Sequence, residues 1–452
     1  MALPLLSLVI GFFLWGCSAF RHYAYQSTAF DLGIYDQVAW LISRGLEAKS
    51  TLLDLHHIGN HGAYIFYLAG FLYWLIPSVN WLLATQAFSL SFTALPLIKI
   101  WKQKALPIKL IGIVPLLWFL QPQVFNTNLW DFHPDVWAMP AFALAIWASR
   151  EKRRFIWLSC IFWILGCRDG YSLLILGLGL TEIALKNYKW GLLAIGIGTG
   201  WIFTLSEFIF PLFNDQAGPA ALARFSALGD NMSSVVLSIL FQPWKLLSII
   251  DWPSLPEYIL FICISTFLFW RKSSIPILLS AVPLIVVNIL SESATQRNLI
   301  YHYNLPLAVI FVVAAIDGLS EQKNMKLPWR RLLLLSFCWA SFAKPGYFAG
   351  KYLRRLPDVL TLNTARELIE PTDRVLTTNY LAPHLTHRES VDILQQKHIN
   401  NNFYDFNSIL INPKDPGGSG SSSELQTKAI EIVEKLDWKC SYWDNGLTLC
   451  KD

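Results

Sequence analysis

Apolar residues fill long runs of this chain, and polar residues collect in the short breaks between them. The runs at 3–20, 81–100, 108–126, 135–149, 155–167, 171–186, 190–211, 256–270, 274–290, 300–317 and 329–343 read as about 11 membrane spans, because ~20 apolar residues cross a bilayer core. The breaks alternate in chemistry. Lys99/Lys102/Lys104/Lys109, Arg150/Lys152/Arg153/Arg154, Lys186/Lys189, Arg271/Lys272 and Lys323/Lys326/Arg330/Arg331 occupy every second one. Assigning these breaks to the cytoplasm satisfies the positive-inside rule with a single parity. It places the N-terminus inside and the C-terminus outside. FDLGIYD (30–36), HHIGNH (56–61) and DFHPD (131–135) then share the outer face.

Residues 62–77 (GAYIFYLAGFLYWLIP) are almost long enough to cross, and a crossing there would invert every later loop. The segment is therefore expected to be a re-entrant or juxtamembrane helix, which Gly70 and Pro77 permit. Spans 155–167 and 171–186 are short, so the tip between them, Cys167-Arg168-Asp169-Gly170, is expected below the outer surface, in a recess. Charges at that depth need a partner or a wet cavity.

The pattern changes after about residue 344. RVLTTN (374–379) and FNSILIN (406–412) have strand character, SELQTKAIEIVEKL (423–436) has the period of an amphipathic helix, and WKCSYWDNGLTLCK reads as a hairpin. PKDPGGSGSSS (413–423) has the composition of a flexible loop. The predicted fold is mainly α. A polytopic domain occupies 1–343, a connector 344–363, and a small soluble α/β extracytoplasmic domain 364–452.

Composition narrows the function. Of 452 residues 54% are hydrophobic and 15% charged, against about 25% charged in soluble domains. The net charge of +5 sits in loops beside spans, which serves topology and not nucleic-acid binding. There is no GKS/T phosphate loop, so nucleotide coupling is unsupported. Stretch 3–20 lacks a basic n-region and an A-x-A site, so it is read as a retained span. The seven Cys include no CxxC pair, which argues against a thiolate zinc site. Cys440 and Cys450 flank Asp444-Asn445-Gly446, and a tight hairpin would set them opposite each other. A disulfide and two unpaired thiols are equally compatible with that spacing.

The candidate chemistry lies in the outer loops. Asp31 and Asp36 follow the first span, and Ile34, Val38, Leu41 and Ile42 form a helical stripe that predicts a surface helix. Capping alone would explain one of these acids. The same face also holds Asp54, His56, His57, His61, Asp131, His133, Asp135, Arg168, Asp169, Glu292, Arg297 and His302. Carboxylates and imidazoles in one recess can hold a divalent cation, bind phosphate and supply a base. His57 and His61 have an i,i+4 spacing suited to metal, although Gly59 and Gly62 disfavour a helix there. The turn at Pro134 is expected to gather Asp131, His133 and Asp135 into a half-shell for Mg²⁺ or Mn²⁺. Arg168, Asp169, Arg297 and His302 are candidates for phosphate or substrate contact. His384 and His387 suit capping or surface roles better than ligand contact.

FDLGIYDQ, GNHGAYIF, DFHPD, CRDG, QRNLIYHYNLP and LAPHLTHR, in this order, resemble a bacterial membrane-protein family catalogued as domain of unknown function 2079. The wider likeness is to integral-membrane glycosyltransferases of the GT-C type. That resemblance implies transfer of a sugar from a polyprenyl-phosphate donor on the extracytoplasmic face. By that likeness Asp31 matches the first-loop acid, a base or acceptor-orienting residue, and DFHPD the second acidic motif. The mechanism expected from the residues has Asp31, or Asp36, take the acceptor proton while Arg168 or Arg297, with a cation held at 131–135, stabilises the departing phosphate. DFHPD departs from the compact DxD or DxE of such enzymes. No motif specifies the acceptor. The competing class is a transporter or lipid flippase of envelope precursors, which would place ionisable groups near the midplane with access from both faces. A third reading is a non-catalytic partner of an envelope assembly.

Overall fold

The computed structural model describes residues 2–214, 224–229, 232–322, 325–417 and 421–452. Among the described residues five helices are long and apolar enough to cross a membrane: Leu3–Tyr23, Asn80–Gln103, Tyr188–Phe213, Lys272–Leu290 and His302–Leu319. Two bent pairs raise the number to seven, Ile108–Phe119 with Pro122–Leu129 and Trp329–Phe342 with Pro345–Leu353. Each bend falls at a proline, which lacks the N–H that would continue the helix. The spans expected at 135–149, 155–167, 171–186 and 256–270 are the shorter helices Ala138–Arg150, Arg154–Leu165, Ser172–Ala184 and Leu255–Cys263. The protein is a polytopic, mainly helical membrane protein with a small strand-containing C-terminal region.

Burial sorts the helices into a centre and a rim. Every residue from Leu305 to Leu319 is buried, so this helix is apolar all round because protein surrounds it. The first helix instead turns Val9, Phe12 and Phe13 outward, a face suited to lipid. Helices Ser172–Ala184 and Tyr188–Thr204 meet at glycines. A Cβ at Gly179 would stand 2.8 Å from the Gly191 carbonyl oxygen, so only small residues allow that approach. On the side of the basic loops, buried Asp317 accepts both Arg150 guanidinium nitrogens (2.9 and 2.6 Å), with Lys104 Nζ at 3.1 Å. One carboxylate thus joins three helices.

Segment 62–77 forms the 3-10 turn Tyr64–Phe66 and the helix Tyr67–Leu75. Its twelve residues extend ~18 Å, short of the ~30 Å apolar core. The helix packs against Ile34–Ser43, where Ile42 occupies the space a Cβ on Gly70 would need. In the first loop β1 (Lys49–Ser50) pairs with β2 (Leu55–His56). In the C-terminal region, β3 (Val375–Thr377), β4 (Val391–Ile393), β5 (Ser408–Ile411), β6 (Lys439–Tyr442) and β7 (Thr448–Lys451) form a sheet in the order β4-β3-β5-β7-β6. β3 is parallel to both its neighbours, whereas β5-β7 and β6-β7 are antiparallel. β4 has no counterpart among the expected strands, because VDI is too short to show a period of two. Helix Ser423–Lys435 forms as expected, with Ser422 capping it. Cys440 faces Cys450 across the hairpin and the two form a disulfide.

The sheet region does not stand apart from the helices. Tyr25, Ala29, Ile34 and Leu52 of the first loop share a buried core with Val359, Leu362, Val375, Leu385 and Leu449. The Ala29 N–H donates to the Asn379 carbonyl oxygen at 2.8 Å.

Candidate functional site

DFHPD enters the site as a braced turn. Gln86 donates to the Asp131 carbonyl (2.6 Å) and accepts the His133 N–H (2.9 Å), fixing the backbone on both sides of Phe132. Asp131 has positive φ (49°), which Asp tolerates better than most residues. Its carboxylate binds Arg21 at the end of the first helix and the N–H and hydroxyl of Thr28. His133 turns the other way. Its Nε2 lies 2.8 Å from Asp31 Oδ2, the His side chain buried and the Asp side chain 36% exposed. Asp135 pairs with Arg168. The expected half-shell is therefore not formed, since Asp131, His133 and Asp135 address three different partners. Among the described residues no group of three His, Cys, Asp or Glu is disposed to hold a metal ion.

Several of the predicted residues do converge, through a second relay of contacts. The His133 and His302 rings lie 3.8 Å apart between centroids, tilted by 31°. Arg168 donates to His302 Nε2 at 2.7 Å. A guanidinium can only donate, so that nitrogen carries the lone pair. Arg168 Nε lies 4.0 Å from Asp169, and His61 Nδ1 lies 3.3 Å from the same carboxylate. Burial works to raise the Asp31 carboxyl, but His133, His61 and Arg168 outweigh it and hold the group below its ordinary value. Asp31 is thus an anion with one side toward solvent.

Beside this relay lies a cavity of about 270 Å³. Asp135, Arg168, Arg224, His302 and Tyr303 contribute polar groups to its lining, and Ile202, Phe210, Leu284, Val287 and Leu290 much of its apolar lining. Arg168 and Arg224 both lie over the Tyr303 ring, at 5.4 and 5.2 Å from its centroid. Four buried polar atoms here have no partner among the described residues: Arg224 Nη1, Asp135 Oδ1, His133 Nδ1 and His302 Nδ1. Leaving such groups unsatisfied costs ~1–3 kcal/mol each, so their concentration marks a place built for something polar.

The structure sends the remaining candidates elsewhere. His57 and His61 do share a one-turn helix, closed by Gly62 in the left-handed region, but His57 Nε2 lies 3.0 Å from the Ala63 carbonyl oxygen and away from His61. Burial lowers the His57 pKa to about 3, as suits a neutral core imidazole. Arg297 binds the Ser291 carbonyl (2.7 Å) and Asp251 (3.3 Å) in a separate pocket. Asp36 is parted from Asp31. It is buried among Tyr73, Thr386 and His387, the last at 3.3 Å, and so joins the surface helix to the C-terminal region. Sequence reasoning missed Arg21, Gln86, Tyr303 and Arg224. Arg21 at the end of an apolar span was a readable signal. Arg224, in ALARFS, carries none.

The Asp36–His387 contact yields a pH prediction. Burial lowers His387, but Asp36 outweighs it and raises the imidazole above its ordinary value. Burial raises Asp36, yet His387, Thr386 and Tyr73 bring it below its ordinary value. The His387 contribution is complete below the unfolded pKa and is lost as pH rises through the raised folded one. The Asp36 contribution is complete above its unfolded pKa and is lost as pH falls through the lowered one. A His387→Gln variant should therefore melt below wild type at about pH 6, with the gap closing by about pH 9. Differential scanning fluorimetry across that range checks this; a gap independent of pH would remove the charge pair as the cause.

The same fold is found in two crystal structures of ArnT from Cupriavidus metallidurans, one bound to undecaprenyl phosphate and one in the apo state. Their TM-scores are 0.56 and 0.54, at 9% and 10% identity, and each comparison covers 99% of this chain and 97% of the other. At such identity the likeness speaks for the fold alone. No curated protein matches the chain in sequence. Over residues 21–449 it matches the family model described as "Predicted membrane protein (DUF2079)", and the chain belongs to that family.

Proposed function

We propose that the protein is a GT-C type glycosyltransferase of the bacterial inner membrane, moving a sugar from a polyprenyl-phosphate donor to an acceptor on the extracytoplasmic face. One observation carries this reading: a cavity with a largely apolar lining and two guanidiniums adjoins a partly exposed carboxylate through the contact of the His302 and His133 rings. The apolar lining suits a prenyl chain and the guanidiniums suit its phosphate. ArnT, whose fold this chain shares, has been crystallised with undecaprenyl phosphate. The disulfide Cys440–Cys450 favours an oxidising compartment for the C-terminal region, in keeping with the parity of the basic loops.

The chemistry follows from the placement. The acceptor oxygen forms a bond to the anomeric carbon while the bond from that carbon to the phosphate oxygen breaks. The departing electron pair stays on the phosphate, where Arg168 and Arg224 offset the growing charge. The acceptor hydroxyl becomes acidic as its new bond forms, so a carboxylate as weakly basic as Asp31 suffices to take the proton. His133 orients that carboxylate. No step is assigned to a cation, because Asp131 and Asp135 are each already paired with an arginine.

The test separates transfer from transport. Proteoliposomes would receive undecaprenyl-phosphate-linked pentoses and hexoses labelled in the sugar, with a membrane extract as acceptor. Release of label from the lipid, dependent on Asp31, is the expected result. Movement of intact labelled lipid across the bilayer, with the sugar retained on it, would establish the flippase reading instead.

A further inference from the structure

A second cavity, of about 340 Å³, lies where the C-terminal region meets the helices. Its walls are His22 at the end of the first helix, Ser78 ahead of helix Asn80–Phe92, Arg366 on helix Val359–Glu367, and the turn Pro383–Arg388. That turn is most of LAPHLTHR, a motif with no part in the proposed transfer. The imidazole of His384 stacks on Tyr25 (3.7 Å between centroids) and on His22 (4.1 Å). His22 Nδ1 and His384 Nε2 are buried and have no partner among the described residues.

The charges around this space do not balance. Asp36 is the one carboxylate among the residues lining it, and Tyr73, Thr386 and His387 already occupy its oxygens. Arg388 is spent on the carbonyls of Leu385, Glu370 and Asp373. Arg366 is not: the carboxylate found near it is exposed Glu367, at 4.0 Å. Ser78 Oγ accepts from Asn80, which leaves its O–H to donate. Burial, His22 and Arg366 together hold His384 well below its ordinary pKa, as expected of an imidazole in a positive field.

We infer that this cavity binds a phosphate-bearing group, held by Arg366, Ser78 and the His22–His384 pair. Arg366 supplies the guanidinium fork that phosphate oxygens match. His384 already bonds the His22 backbone through its other ring nitrogen, so its unpartnered Nε2 donates only once the ring is protonated, the form an anion stabilises. The cavity stands at the end of the first membrane helix, so a phospholipid headgroup and a free phosphate compound both reach it. The inference is independent of sugar transfer in the first cavity.

The experiment uses the full-length protein in phosphatidylcholine nanodiscs, with either inorganic phosphate or phosphatidylglycerol added. Bound phosphate is counted by radiolabel and retained phosphatidylglycerol by native mass spectrometry. Retention is expected to fall ~10-fold or more in Arg366→Gln, the loss of a charged hydrogen bond, and to survive largely in Arg366→Lys. Ser78→Asp, which puts a like charge in the lining, should abolish it independently. Dependence on these residues for phosphatidylglycerol alone assigns a headgroup site; for inorganic phosphate alone, a soluble ligand; for both, the phosphate group itself. Equal retention by wild type and all variants, or none by any, overturns the site. Release of labelled sugar from the undecaprenyl-phosphate-linked donor should be the same in Arg366→Gln and wild type, which keeps the two cavities distinct.

Discussion

Replacing Asp31 by Asn is expected to reduce sugar transfer by ~10²–10⁴-fold, the usual range for loss of a positioned proton acceptor. The substitution changes almost nothing else. Asn keeps the size of the side chain and an oxygen for the His133 Nε2 contact at 2.8 Å. The half-exposed side chain also carries little of the packing. The melting temperature should fall only modestly, by what the lowered Asp31 pKa shows its charge to contribute through His133, His61 and Arg168. Transfer assays beside fluorimetry separate the outcomes. Full activity in the variant would remove Asp31 from the mechanism; lost activity with lost stability would assign it a structural role.

The second large effect is a contrast between two arginines. Arg168 is buried against Asp135 and His302, so Arg168→Gln leaves a buried carboxylate unpaired, at a cost of ~3–5 kcal/mol. Arg224 Nη1 is buried with no partner among the described residues, so Arg224→Gln removes a donor that the resting protein does not use. Arg224→Gln should weaken undecaprenyl phosphate binding ~10–100-fold, the worth of one charged hydrogen bond, at unchanged melting temperature. Arg168→Gln should lose both. Native mass spectrometry with added undecaprenyl phosphate, beside thermal melts, reads the difference. Unaltered lipid binding in Arg224→Gln would take the phosphate away from Arg224.

Membrane class, the outer-loop motifs and most helices were legible because burial in lipid imposes long apolar runs that no soluble fold needs. The convergence of His133, Arg168, Asp169 and His302 was legible as a set, from the short helices that bury the Arg168 tip. What each residue touches was not. Asp131, His133 and Asp135 sit two apart, yet the positive φ at Asp131 and the Pro134 turn aim them at three separate partners. Asp36 resembles Asp31 in sequence, and its role is decided by Thr386 and His387, some 350 positions away. Arg224 lies outside any periodic segment, so only three dimensions could bring it to Tyr303.

The shared core of Tyr25, Ala29, Ile34 and Leu52 with Val359, Leu362 and Leu449 has a consequence for biosynthesis. The loop carrying Asp31 is made well before the surface that supports it, which lies at residues 359–449. Throughout insertion of the intervening helices that loop lacks its packing partner. A ribosome stalled anywhere before residue 359 would leave the Asp31 loop without the core that holds it, so the order of synthesis sets when the loop takes its final shape.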